Sequence, residues 1–522
     1  MLCINKKMNS QAGPGKRLFC RAVSSVLAVI LCAGLLGGCA GKEEAAGYAA
    51  LETANYGVMT GSTAETFIGQ TYPQAKISTY SSIADAFLAL SGGKIDYVLT
   101  AYTTALNAIR SNDSLVICRD DVIREESSIA VSKDNKKLCA DIDGVLDSFK
   151  ADGTLDRVAA NWTTQGQDYV LEKLPASDGR NGILKVAIAA DREPMCFVMD
   201  GRYRGLDCEL IERIAGELGM TAEYQNMQFS ALTAALASGK ADVIISNMTD
   251  TPERRESVDF TQPYFANPQV LVARGETAAV GAKEDGGFPA GLKASFTRTF
   301  ITENRWKLIV NGLVVTILIS VCSGILGSAL GFGVCMLRRS RSRMAGALTA
   351  AFIRIIQGTP VVVLLMLLYY VIFGGIDIPA IAVSVIGFII NFAVYVSEMM
   401  RTGIDAVDKG QIEAAIALGY SKRQTFAKVT FPQAARHFLP VFKGEFISMV
   451  KMTSVVGYIA VQDLTKVSDI IRSRTLEAFF PLIATAVLYF MTAGALTAVL
   501  SLAEVRLDPR RRPRRVKGVN EL

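Results

Sequence analysis

Residues 413–432 read Glu413-Ala414-Ala415-Ile416-Ala417-Leu418-Gly419-Tyr420-Ser421-Lys422-Arg423-Gln424-Thr425-Phe426-Ala427-Lys428-Val429-Thr430-Phe431-Pro432. The stretch is polar and basic, yet it lies between two long apolar runs. Residues 413–418 have helical composition, Gly419 offers a turn, and Ser421 is placed to cap a second short helix ending before Pro432. The expectation is a helix-turn-helix knob at a membrane face, and a loop of this length there needs a partner.

Outward from the knob, residues 308–337, 355–375, 378–397 and 481–503 carry no charged side chain. Each is long enough to cross a hydrocarbon core of about 30 Å. A weaker run at 446–461 contains Lys451, which is costly in a span unless paired, facing water or snorkelling to an interface. Five membrane helices are expected. Loop charge orients them. Arg338, Arg339, Arg341 and Arg343 put the first loop inside, and residues 374–378, with Asp377 and no Lys or Arg, lie outside. The knob loop, with Arg401, Lys409, Lys422, Arg423, Lys428 and Arg436, is inside, as is the tail rich in Arg from Arg506 to Arg515. The outside loop with Lys466, Arg472 and Arg474 fits this pattern less well, although Asp463, Asp469 and Glu477 offset it.

The amino terminus has the pattern of an export signal: Lys6, Lys7, Lys16, Arg17 and Arg21, an apolar run at 22–36, then Leu36-Gly37-Gly38-Cys39. Residues 1–38 are read as a lipoprotein-type signal peptide, with an uncleaved anchor helix as the alternative. The remainder of the first half has soluble composition and is placed outside the cytoplasm. The chain has 522 residues, a net charge of +6, ten cysteines and one histidine, His437. The modest charge, gathered in short clusters, gives no reason to expect nucleic acid, and one histidine makes histidine catalysis or a multi-histidine metal site implausible. No cofactor and no metal are expected. Cys118, Cys139, Cys196 and Cys208 in the soluble region permit disulfides without establishing them.

One phrase occurs twice in the soluble half. Ile83, Phe87 and Leu90 share a helical face, then Gly93-Lys94-Ile95-Asp96 leads into an apolar strand at 97–99; Leu232 and Leu236 precede Gly239-Lys240-Ala241-Asp242 and a strand at 243–245. Helix, glycine turn, strand is one half of a βαβ unit, so two similar α/β lobes are expected, with sites at the carboxyl ends of their strands. Ser62-x-x-Glu65 is a capping box whose free amides suit an anion, and Thr251-Pro252 opens a helix with Arg254 in its first turn. Arg254 offers a bidentate fork for a carboxylate; a surface ion pair with Glu253 or Glu256 is the plain alternative.

These motifs resemble a known family. Glu413-Ala414-Ala415, Gly419 and Phe431-Pro432 look like the EAA loop of ATP-binding-cassette (ABC) importer permeases. Arg354 to Pro360, Lys409-Gly410-Gln411 and Lys451-Met452-Thr453-Ser454 are similar to the polar amino acid uptake permeases. The resemblance implies that Glu413, Ala414, Ala415 and Gly419 couple to a separate ATPase subunit. The chain itself has no phosphate-binding G-x-x-x-x-G-K-[ST]. The soluble half resembles type II amino-acid-binding proteins, but in reversed order: residues 183–275 look like the first lobe and 48–165 like the second lobe and carboxyl terminus. This reads as one circularly permuted domain, with 166–182 joining the old termini; two incomplete domains pairing with other chains are the alternative. Residues 276–300 would link to a permease domain at 301–505, followed by a basic tail at 506–522. The implied cleft residues are Gly61, Ser62, Thr63, Ser246, Asn247, Thr249 and Arg254. Where the family usually has an Asp for the ligand ammonium stands Ala101; Asp191 or Glu193 can replace it, or the ligand differs. Cys39 would be lipidated.

The expected fold is therefore a two-lobed α/β type II binding domain followed by an all-α membrane domain of about five helices. The expected function is a bacterial inner-membrane importer subunit, not an enzyme, that captures and translocates a polar amino acid, with an ATPase partner and a homodimeric permease. A ligand-gated channel or sensor is one alternative, though no T-V-G-Y-G filter is present. A membrane-anchored enzyme with Glu193 as acid or base is the other.

Overall fold

The computed structural model describes residues 51–165, 169, 179–275 and 293–507. The amino-terminal signal with Cys39, most of the joining segment 166–182 and the tail from 508 lie outside the described residues.

The soluble half contains two five-stranded sheets. One holds β1 (Asn55–Met59), β2 (Lys76–Tyr80), β3 (Tyr97–Ala101), β4 (Leu115–Ile123) and β12 (Gln269–Arg274) in the order β2-β1-β3-β12-β4. The other holds β5 (Glu126–Ser132), β6 (Ile183–Ile188), β9 (Thr221–Asn226), β10 (Val243–Thr249) and β11 (Val258–Ala266) in the order β11-β5-β10-β6-β9. A small hairpin, β7 (Phe197–Met199) and β8 (Arg202–Arg204), stands apart. The central strands β3 and β10 are apolar runs buried on both faces, which suits parallel pairing beneath covering helices. Those helices are α1 (Thr63–Thr71), α2 (Ile83–Ser91), α3 (Tyr102–Ser111), α4 (Lys136–Ala151), α5 (Thr154–Gln165), α6 (Leu206–Glu217), α7 (Leu232–Ala237) and the single turn α8 (Pro252–Arg255).

The repeated phrase has a shared physical role. Gly93 and Gly239 take φ of +69° and +68°, a left-handed conformation that costs glycine nothing. The aspartate that follows each turn then pins the neighbouring first strand. Asp96 Oδ2 accepts the Asn55 amide at 2.8 Å, and Asp242 Oδ2 accepts the Lys185 amide at 2.8 Å. Both lobes thus fix strand register by the same device.

Each sheet also contains one strand delivered by the other lobe. The chain leaves β4 and enters the second sheet as β5, antiparallel between β11 and β10; it leaves β11 and enters the first sheet as β12, antiparallel between β3 and β4. One core joins Ile129, Val131, Leu138 and Trp162 from the earlier segment to Leu184, Val186, Leu210 and Ile211 from the later one. The buried Trp162 indole donates to Glu209 Oε2 at 2.8 Å. Neither segment closes a lobe alone.

The second half is helical. Its elements are α9 (Arg305–Arg338), α10 (Arg343–Gly358), α11 (Val361–Met366), α12 (Ala380–Asp405), α13 (Lys409–Ala417), α14 (Lys422–Thr425), α15 (Phe431–Met452), α16 (Leu464–Thr475) and α17 (Phe479–Leu507). Three stretches, Lys293–Arg338, Ala380–Asp405 and Phe479–Leu502, are each long and apolar enough to cross a membrane; two bent pairs raise the number to five if each crosses. Small residues let α9 approach its neighbours. A Cβ on Gly331 would lie 2.6 Å from the Ala393 carbonyl, and one on Gly324 2.4 Å from the Phe446 ring.

Two expectations need correction. The run 355–375 is not one straight helix: α10 and α11 meet at 107°. Pro360 pushes Thr359 out of the helical region, to φ −104° and ψ 124°, and ends α10 there. The second knob helix does not stop before Pro432 either. The chain passes from α14 through a wide helical turn at Phe426–Thr430 into α15, with Pro432 in its first turn, where no amide is required of it.

Candidate functional site: an interlobe cleft and the helix that holds it

The two lobes face each other across a cleft that α1, α8 and the strand ends build. Met59, Ser62, Thr63, Glu125, Arg192, Phe229, Asn247, Thr249, Arg254 and Gln269 are among its lining residues, and about 30 Å³ of free space remains. α1 begins here. Ser62 caps it by accepting from the Glu65 amide, while Glu65 accepts from the Gly61 amide at 2.8 Å. The Ser62 amide itself donates to the Met59 carbonyl. The amides of Thr63 and Ala64, in the first turn, have no helical acceptor and lie at the cleft.

Arg254 crosses the gap. Its Nη1 donates to the Thr249 carbonyl at 2.7 Å and its Nη2 to the Gly61 carbonyl of the opposite lobe at 3.1 Å. Burial lowers its pKa, partly offset by Glu125. Asn247, in the left-handed region at φ +46°, accepts through Oδ1 from Ser127 and Asn267. Its amide donates to the buried Asp207 carboxylate at 3.0 Å, which also accepts from the Tyr264 hydroxyl at 2.7 Å. Burial drives the Asp207 pKa up to about 7 despite the Tyr264 bond, nearby Arg192 and the Asn247 amide.

Of the residues the motifs singled out, the cleft brings together Ser62, Thr63, Asn247, Thr249 and Arg254. Gly61 borders it through its carbonyl. Ser246 lies beneath, its hydroxyl accepting from the Ala189 amide and from Arg192. Asp191 is buried beside Arg192 and does not line the cleft. Glu193 is turned elsewhere: its carboxylate pairs with Arg474 of α16, so it is available neither for a ligand ammonium nor for acid–base chemistry in the cleft. Glu125, Arg192 and Phe229 belong to none of those motifs and line the cleft as well. The Arg192 side chain stacks on the Phe229 ring at 4.4 Å. Glu125, in the β4–β5 crossover, accepts from Thr249 Oγ1 at 3.0 Å and Gln269 Nε2 at 2.8 Å.

α16 explains the misfit loop charges. Arg472 pairs with Asp85 of the β1-containing lobe as well as Asp469, and Arg474 pairs with Glu193 of the other lobe and with Glu303 at 2.7 Å. Ile470 enters the core of the β6-containing lobe, and Leu476 packs on the other. Loop 374–378 makes a second contact: Lys185 pairs with Asp377 at 3.0 Å, and Lys240 Nζ donates to the Ile376 carbonyl at 2.7 Å. Both helical-half segments that charge counting puts outside touch the soluble lobes.

The knob is formed by α13 and α14. Asp408 caps α13 through the Gly410 and Gln411 amides. Gly419, at φ +88°, ends it: its amide returns to Ile416 and that of Tyr420 to Ala415, so two carbonyls of the last turn are satisfied. Ser421 and Gln424 then complete a capping box for α14. Ala415 is buried in this turn, whereas Glu413, Ala414, Ile416 and Leu418 are exposed, Leu418 at 80%.

Two family models match the chain. Bacterial extracellular solute-binding proteins, family 3, match residues 184–359, and the binding-protein-dependent transport system inner membrane component matches residues 323–513. A putative glutamine transport system permease protein of Rickettsia bellii is 30% identical over 201 residues, 38% of this chain and 92% of the relative. This chain belongs to the amino-acid ABC transporter permeases. An arginine transport system permease protein of Bacillus subtilis is 31% identical over 204 residues, covering 38% of this permease chain and 92% of its own. A crystal structure of an amino acid ABC transporter with histidines shares 33% identity, with a TM-score of 0.36 over 42% of this permease and 98% of that chain. The permease carries its solute-binding domain in the same chain, so it is an importer subunit of the inner membrane that combines binding with translocation.

Proposed function

We propose that this subunit captures a polar amino acid outside the cytoplasm, in the cleft between its own lobes, and passes it to a pathway formed by two copies of its helical half. A separate ATPase docks on the knob and drives the cycle. The observation that carries this reading is α16: one short helix of the permease half holds Asp85 of one lobe and Glu193 of the other. A change in lobe separation must strain or release those pairs, which gives the membrane half a means to sense closure. Apolar Ile416 and Leu418, exposed beside Glu413 on the knob, give the ATPase a surface to grip.

Within the cleft, Arg254 and the Thr63 and Ala64 amides take the α-carboxylate, which would bridge the lobes and favour their closed arrangement. Asn247, Thr249 and Ser62 shape the site around it. The binding domain is circularly permuted, with residues 183–275 as its first part and 48–165 as its second. The equal strand orders of the two sheets and the two exchanged strands β5 and β12 support this. So does a solute-binding match that begins at the start of β6. The amino-terminal signal exports the domain, and Cys39 anchors it as a lipoprotein. The test is transport. Co-reconstituted with its ATPase, the chain should take up a labelled amino acid on ATP addition with no other binding protein present; failure across all polar amino acids would remove the reading.

A further inference from the structure

The cleft's charges do not suit a neutral amino acid. Three of its lining residues carry formal charge: Arg254, Arg192 and Glu125. The end of β3, where a carboxylate would meet a ligand ammonium, is Ala101, itself a cleft residue. Glu125 is the carboxylate that reaches the cleft instead. It comes from the crossover between lobes, and its carboxylate accepts hydrogen bonds from a hydroxyl and an amide, not a cation. Arg254 spends two donors on carbonyls and none on a carboxylate.

Arg192 decides the class. Its side chain is only 8% exposed, and its hydrogen bond is to the neutral Ser246 hydroxyl at 3.2 Å. Its ion-pair partner, Asp191, lies 3.8 Å away, beyond hydrogen-bond reach. A zwitterionic amino acid would pair its carboxylate with Arg254 and its ammonium with Glu125. The buried Arg192 would keep only the long 3.8 Å pair with Asp191, with no anion hydrogen-bonded to its guanidinium, a costly state for a desolvated charge. A second ligand carboxylate removes that cost. Phe229 lies under both guanidinium groups, at 4.4 Å from Arg192 and 5.7 Å from Arg254, so a short methylene chain between two carboxylates has an apolar surface to rest on.

We infer that the ligand is a dicarboxylic α-amino acid, its α-carboxylate at Arg254, its ammonium at Glu125 and its side-chain carboxylate at Arg192. This rests on the amino-acid-binding reading of the cleft and sharpens it. Arg192 is then the residue that sets specificity.

Titration calorimetry on the purified full chain, with L-glutamate, L-aspartate, L-glutamine, L-arginine and glutarate, tests it. Glutamate or aspartate should bind at least about tenfold more tightly than glutamine, a difference of about 1.4 kcal/mol, and arginine should not bind. R192Q should erase that preference, and R192K, which keeps the charge, should retain part of it. E125Q should weaken glutamate far more than glutarate, which has no ammonium. Glutamine binding as tightly as both acids, or an acid preference unchanged in R192Q, overturns the inference and leaves amino-acid binding standing. No binding of any amino acid overturns both.

Discussion

Replacing Arg474 with alanine isolates the contact between the binding lobes and the permease. The Arg474 side chain is 3% exposed, and its carboxylate partners Glu193 and Glu303 are 6% and 11% exposed. Burial has already raised the Glu193 pKa against the opposing pull of Arg474. Arg474→Ala therefore takes the buried Glu193 out of its ion pair, while Glu303 keeps Arg305 at 3.1 Å. Breaking a buried pair from one side costs ~3–5 kcal/mol, which is about 150-fold to 4,000-fold in the docking equilibrium. Ligand affinity should change little, because Glu193 does not line the cleft. Ligand-stimulated ATP hydrolysis and uptake should collapse together. Glu193→Gln in the same chain removes the stranded charge and should restore part of the loss. The assay is a double-mutant cycle on ligand-stimulated ATPase activity in liposomes. A coupling energy under ~0.5 kcal/mol, the scatter expected of independent sites, or undiminished uptake in Arg474→Ala, refutes the argument that α16 transmits lobe closure.

Gly419→Val should abolish ATPase association and uptake while leaving ligand binding intact, since φ of +88° is a genuine outlier for a β-branched residue; co-purification of the ATPase with the variant checks it. Arg254→Ala should weaken ligand binding by ~2–5 kcal/mol, and Arg254→Lys should recover only part because the planar fork is lost; calorimetry within about threefold of the parent would remove the carboxylate assignment. Burial pushes the Asp207 pKa up to about 7 from the ordinary carboxylate value of 3.8. Its contribution to stability is thus fully present below about 3.8 and is lost as pH rises through about 7. The melting temperature of Asp207→Asn relative to the parent should therefore improve from pH 4 to pH 8, and a constant difference would contradict the shift.

Much of this architecture is legible in the residues because its signals are local. Gly93-Lys94-Ile95-Asp96 and Gly239-Lys240-Ala241-Asp242 mark a turn and a strand anchor that each operate within one βαβ unit. The knob is likewise a run of caps and one left-handed glycine. What stays hidden depends on contacts between distant parts. Arg472 and Arg474 look like charges on the wrong side of a membrane until their partners, 387 and 281 residues away, are in place. Glu125 reaches the cleft only because the chain crosses between lobes there, and a lone glutamate beside Arg124 and Glu126 carries no pattern. Arg192 adjoins Asp191 in sequence and reads as half of a surface pair; burial against Phe229 gives it another role. The bend at Thr359-Pro360 was written in the proline, but an apolar run averages over it.

The central claim is that one chain both captures and translocates. Proteoliposomes holding only this permease and its ATPase, with labelled glutamate outside and ATP within, measure it directly. ATP-dependent accumulation with no added binding protein is expected, lost in Arg254→Ala and in Arg474→Ala. Uptake that requires a separate binding protein, or that proceeds equally without ATP, would contradict it.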